Sequence, residues 1–133
     1  MNVAAIMECC RGLPGVSEKD IPPPINALSF RVGDKKFAHF KTSEPEQWRF
    51  SIRVSSDRFV ELIDQSGVKP AKYMGRYRWV TIVNVDDFDG SHLRDLINFS
   101  YVSAFQNLTK ERQREIRCEP LLPEAVNQPT NNG

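Results

Sequence analysis

The apolar positions change period along the chain, and each change marks an element. Val3, Ile6, Met7 and Cys10 recur at helical spacing, which predicts a short amphipathic helix over residues 2–12, ended by Pro14 and Gly15. Residues 17–25 (SEKDIPPPI) read as a loop, because consecutive prolines cannot join a helix or a central strand. From Ala27 the period becomes two: Leu28, Phe30 and Val32 alternate with Ala27, Ser29 and Arg31. Gly33-Asp34 supplies a turn, and residues 36–41 (KFAHFK) return as the hairpin partner. After a loop at Thr42–Glu46, Trp48, Phe50, Ile52 and Val54 point one way, with Gln47, Arg49, Ser51 and Arg53 opposite.

Ser55 or Ser56 then caps a second helix, with Asp57 in its first turn, an apolar stripe of Phe59, Leu62 and Ile63, and Gly67 at its close. The stretch 69–75 reads as a loop holding Pro70 and Gly75, and a strand follows from Arg76 to about Asn84. In that strand Tyr77 and Trp79 are expected to share the inward face with Thr81 and Val83, although Val80 and Ile82 break the alternation. Leu93, Leu96, Ile97, Tyr101, Ala104, Phe105 and Leu108 hold helical spacing for over four turns. Thr109 caps a final turn, KERQREI, and residues 118–133, rich in proline and asparagine, read as a loosely ordered tail. The order predicts an α+β fold in two layers, with helices packed on one face of an antiparallel sheet, as a single domain over residues 1–117.

Charge sharpens this picture locally. The chain of 133 residues has a formal net charge of +1, yet residues 31–80 carry 11 cations against 6 acids. The stretch KPAKYMGRYRWV, residues 69–80, has no acid at all. If the apolar strand faces pack on the helices, the opposite face collects Arg31, Arg49, Arg53, Arg76 and Arg78. Lys35 and Lys36 stand at the hairpin tip, Lys69 and Lys72 in the loop, and Tyr73 is the aromatic expected to be exposed. Such a face can track a phosphate backbone. From these residues alone the simpler reading is that long cationic side chains shield an open sheet face and discourage edge pairing.

Other chemistry falls away on spacing. With Gly90 at the sixth position of a calcium loop, VDDFDG puts Val85 at the first and Leu96 at the twelfth, so Asp89 or Ser91 reads as a helix cap instead. His39 and His92 lack converging ligands, and the adjacent Cys9 and Cys10 with a distant Cys118 form no metal or disulfide spacing. On the first helix Cys10 is expected to face the core and Cys9 its edge. No GxSxG motif or P-loop occurs, and a protein without catalysis or cofactor is expected. The N-terminus lacks the form of a signal peptide, and no apolar stretch is long enough to cross a bilayer. A cytoplasmic monomer off the membrane is therefore expected.

LPGVSE, FRVGDKKFAHF, SIRVS, GVKPAKYMGRYRWVTI and LRDLINFSYVSAFQNLTKERQ together, in this order from about Cys10 to Arg112, resemble the MmcQ/YjbR family. The resemblance implies a small α+β domain, similar to CyaY-like and secretion-chaperone-like folds, and DNA binding through a double wing of β elements. The wings would fall on Asp34 to Lys36 and on Lys69 to Arg78. The iron-binding acidic ridge of CyaY-like folds has no counterpart, since the first helix holds only Glu8. DNA is thus the leading expected partner, through Arg31, Lys35, Lys36, Arg49, Arg53, Lys69, Lys72, Tyr73, Arg76 and Arg78. A protein partner held on the open sheet face is the alternative, and a small-molecule binder the third.

Overall fold

The computed structural model describes residues 1–71 and 78–118. Helix α1 spans Val3–Arg11 and is capped by Asn2, whose side chain accepts from Ala5 N at 2.8 Å. Strands β1 (Val16–Ile21), β2 (Ala27–Val32), β3 (Lys35–Lys41) and β4 (Phe50–Arg53) follow. Helix α2 (Ser56–Ile63) leads to β5 (Val68–Pro70) and β6 (Trp79–Ile82). A short 3-10 turn precedes the long helix α3 (Gly90–Gln106), and α4 (Lys110–Cys118) ends the described chain. No helix among the described residues is long and apolar enough to cross a membrane.

The strands form one antiparallel sheet of six, in the order β1-β2-β3-β4-β6-β5. One face meets the helices. Phe30, Phe40, Phe50, Ile52, Val80 and Ile82 lie there with Ile6 and Cys10 of α1, Leu62 of α2, and Leu93 and Ile97 of α3, all essentially without exposure. Phe40 is the hub: its ring lies 4.8 Å from Phe50, 6.1 Å from Trp48 and 6.3 Å from Phe30. Burial pushes the Cys10 thiol up to about 12, with the neighbouring Cys9 adding to the shift, so it acts as a small apolar side chain. Cys9 sits at the core's edge, as the helical phase predicted.

Local chemistry sets the boundaries. Ser55 accepts from Arg58 N at 3.3 Å, and Asp89 accepts from His92 N at 2.9 Å, so the aspartate of VDDFDG is a helix cap. Helix α2 stops at Ile63 with Asp64 as its cap, before Gly67. Thr109 accepts from Arg112 N at 3.2 Å, and what read as one final turn runs on as a fourth helix. Gly33 has φ +61, and a Cβ there would meet Leu108 at 2.8 Å. The hairpin tip therefore needs glycine both for its conformation and to rest on the α3–α4 junction.

Two stretches expected as loops are strands. Val16–Ile21 pairs along its length with β2, and Val68–Pro70 pairs with β6. Both are edge strands, where a row of charges or a proline is tolerated because one side makes no ladder.

The register of β6 also corrects the sequence reading. Val80 and Ile82 pair with Ile52 and Phe50, and so point at the helices. Trp79 and Thr81 pair with Arg53 and Ser51 on the opposite face. All four residues are buried, so β6 carries no alternation from which the phase can be read. The branched aliphatics take the helix side, where they fill the core. Tyr77 lies outside the described residues.

Candidate nucleic-acid interface

The face turned away from the helices follows from the register. The row from β1 to β5 runs Lys19, Ser29, His39, Ser51, Thr81, Lys69. On one side of it Arg31 stands opposite Lys36, and Arg53 opposite Trp79; on the other lies Lys41, opposite Ala27. Arg49, two residues before Ser51, continues the alternation of β4 onto the same face, and its charge reaches His39. Arg31, Lys36, Arg49, Arg53 and Lys69 thus share one face, joined by Lys19 and Lys41, which the sequence reading did not include. Lys41 was legible as the position two residues beyond His39; Lys19 was hidden because its strand was read as a loop.

The small residues under these cations are sealed. Ser29, Ser51 and Thr81 are buried, and the Ser51 and Thr81 hydroxyls share a hydrogen bond of 2.8 Å. Trp79 closes the surface above them. The His39 ring stacks on it at 5.8 Å, and the Lys36 ammonium lies 5.5 Å from its ring centre. The tryptophan is consequently buried without belonging to the helix-facing core.

Electrostatics make this face a place of unbalanced positive charge. Burial, then Lys36 and Arg49, push the His39 imidazole down to about 4, so it is neutral near pH 7. Burial and then Arg31 depress the Lys36 ammonium below its ordinary value. Ser29 Oγ, Arg31 Nε and His39 Nδ1 are buried without a hydrogen-bond partner among the described residues. Among the described residues one carboxylate answers this charge: Glu46, on the loop after β3, accepts from Arg49 at 2.9 Å and from Lys69 at 3.0 Å. Those two bonds hold its carboxyl below the usual range. Glu18 belongs to the other face, in the row with Phe30, where it pairs with Arg11 at 2.7 Å.

The remaining predicted residues separate. Lys35 stands exposed at the start of β3, beside the hairpin turn. Arg78 is exposed, has φ +63 and precedes Trp79, so it falls out of the strand's alternation and does not join Arg53 in its row. Its expected place in one arginine face is corrected by the β6 register. Lys72, Tyr73 and Arg76 lie outside the described residues. Among the described residues no three His, Cys, Asp or Glu side chains gather as metal ligands.

This architecture recurs in known proteins. A family model described as YjbR matches residues 11–102. The protein named Uncharacterized protein YjbR of Escherichia coli K12 is 25% identical over 116 residues, spanning 86% of this chain and 96% of that protein. Uncharacterized protein YbdF of Escherichia coli O157:H7 is 30% identical over 91 residues, 66% of this chain and 72% of its own. The fold is similar to the crystal structure of Deinococcus radiodurans protein DR2400, which has a DUF419 domain: the TM-score is 0.74 at 24% identity, over 86% of this chain and 87% of that one. A Pseudomonas syringae structure is similar with a TM-score of 0.62 at 15% identity, over 78% and 99% of the two chains. The chain belongs to the YjbR family.

Proposed function

We propose that this YjbR-family chain binds a nucleic-acid phosphate backbone, DNA in the first instance, across the cationic face of its sheet and without catalysis. The observation that carries the reading is one of register. Lys19, Arg31, Lys36, Lys41, Arg49, Arg53 and Lys69 share a face on which the strand rows hold no carboxylate. Phosphates answer that charge at many points, and the release of condensed counterions drives the association. Trp79 serves to hold the surface, because its ring is already covered by His39 and Lys36. Affinity therefore comes from phosphate contacts, which carry little sequence preference.

The test is fluorescence anisotropy of a labelled oligonucleotide over a salt series. With about four or five phosphate contacts, log affinity falls against log salt with a slope near −4. Lys19→Gln/Arg31→Gln flattens that slope by about 1–2, while Arg78→Gln leaves it nearly unchanged. A wild-type chain that binds no oligonucleotide at low salt refutes the reading. Capture of a nuclease-resistant protein partner by the same face would replace it with a protein-interaction role.

A further inference from the structure

Where β3 and β4 part at one end of the sheet, the ladder opens and a small cavity forms. Ser100 of α3 fills the gap in the ladder: its hydroxyl donates to Phe37 O at 2.6 Å and accepts from Arg53 N at 3.2 Å. Beside it lies a cavity of about 120 Å³ lined by Lys35, Lys36, Arg53, Trp79 and Asn107. Three cations thus converge on one hollow whose lining holds no carboxylate. None of the three makes an ion pair among the described residues.

We infer that this cavity is a seat for a single phosphate group, and that it favours a terminal phosphate monoester over an internal diester. The inference rests on the proposed nucleic-acid reading for its natural ligand, but the seat stands on its own geometry. The volume admits one tetrahedral oxyanion and excludes a base with its sugar. Two ammonium groups and a guanidinium present three positive charges, which a dianionic monoester balances better than a singly charged diester. The Asn107 amide adds a neutral donor at the rim. Lys36 gains most from occupancy, since it is half-buried, stands opposite Arg31 and rests against the Trp79 ring.

The C-terminal end of α3 is also close, and its carbonyls would ordinarily repel an anion. Those of Ala104, Phe105 and Gln106 are occupied: Gln113 Nε2 donates to Gln106 O, as well as to Leu108 O just beyond the helix, and the Asn107 N–H turns back to Ala104 O and Phe105 O. The adjoining groove, of about 470 Å³, shares Lys35 and Asn107 and adds Thr109, Arg112 and one carboxylate, Asp34, which leaves the rest of a strand a way out of the seat past Arg112.

The experiment titrates inorganic phosphate into the full-length chain at low ionic strength, followed by calorimetry and by 31P line broadening. Saturable one-to-one binding is expected. Loss of one charge-assisted contact in Lys36→Gln or Arg53→Gln weakens it about tenfold. Asn107→Asp, which places a carboxylate on the exposed rim without disturbing the core, weakens it at least as much. Arg94→Gln, exposed on α3 and away from this face, leaves it unchanged. A 5′-phosphorylated oligonucleotide then outcompetes its 5′-hydroxyl counterpart. Phosphate binding without any oligonucleotide binding upholds the seat and defeats only the nucleic-acid reading. Oligonucleotide binding with no phosphate saturation and no 5′-phosphate preference overturns the seat and leaves that reading standing. Equal weakening by Arg94→Gln also overturns it.

Discussion

Arg53 and Trp79 stand directly opposite one another on β4 and β6, on the face turned away from the helices. This pairing fixes the phase of β6 and decides which side chains form the cationic surface. It places Val80 against the helix layer, fully buried. Val80→Asp should therefore cost about 3 kcal/mol or more, since an unpaired carboxylate enters an apolar core. Urea denaturation measures it. A stable Val80→Asp chain would mean that the strand sits in the opposite phase.

Ser100→Ala tests the seam between β3 and β4. The hydroxyl satisfies Phe37 O and Arg53 N together, in a place where the strands no longer pair. Its loss strands two backbone groups and should cost ~2–4 kcal/mol, read from the midpoint and slope of a denaturant curve. A cost near zero would show that the strands reclose without it.

His39 predicts an acid-sensitive stability. Its folded value, pushed down to about 4, lies below its ordinary 6.5. The unfolded chain therefore takes up a proton at a pH where the folded chain still refuses it. Stability falls as pH drops from 6.5 towards 4 and levels off below, with His39 contributing about 2–3 kcal/mol of the loss. Carboxylates titrate in the same range, so the informative quantity is the difference from His39→Gln, which should flatten the profile between those limits. Identical profiles for the two chains would contradict a half-buried His39 held neutral.

Glu46 predicts a change of function with little change of fold. It ties up both Arg49 and Lys69 at the end of the cationic face. Glu46→Gln releases them, and oligonucleotide affinity at low salt should rise about two- to fivefold while stability shifts by less than about 1 kcal/mol. Unchanged affinity would place Arg49 and Lys69 outside the binding surface.

Much of this was legible in the residues, and the failures have physical causes. Strands β2, β3 and β4 announced themselves because one face meets the core and the other meets water, which writes a period of two into the chain. The helix starts were legible to within two residues, as Ser55 or Ser56 and Asp89 or Ser91, since a cap needs a short polar side chain before an apolar run; the structure selects Ser55 and Asp89. Strand β1 left no such trace: SEKD is exposed throughout, so no apolar alternation marks it as a strand. Strand β5 is three residues long and ends in proline. Strand β6 is buried on both faces, which erased its phase, so that the reading sent Trp79 to the core side and Arg78 to the cationic face, both against the observed register. The cations of β2 and β4 could be assigned to a face from alternation alone. The cavity at Arg53 could not, because it depends on Ser100 and Asn107, brought in from α3 far along the chain.

The central claim is that one face of the sheet meets nucleic acid, and amide chemical-shift mapping tests it most directly. A short duplex is titrated into the isotope-labelled chain at low salt, and the shifted residues are placed on the fold. The account predicts that shifts concentrate at Lys19, Arg31, Lys36, His39, Lys41 and Arg53, and fade as salt is raised. Shifts confined to the outer surfaces of α2 and α3, or none at all, would contradict it.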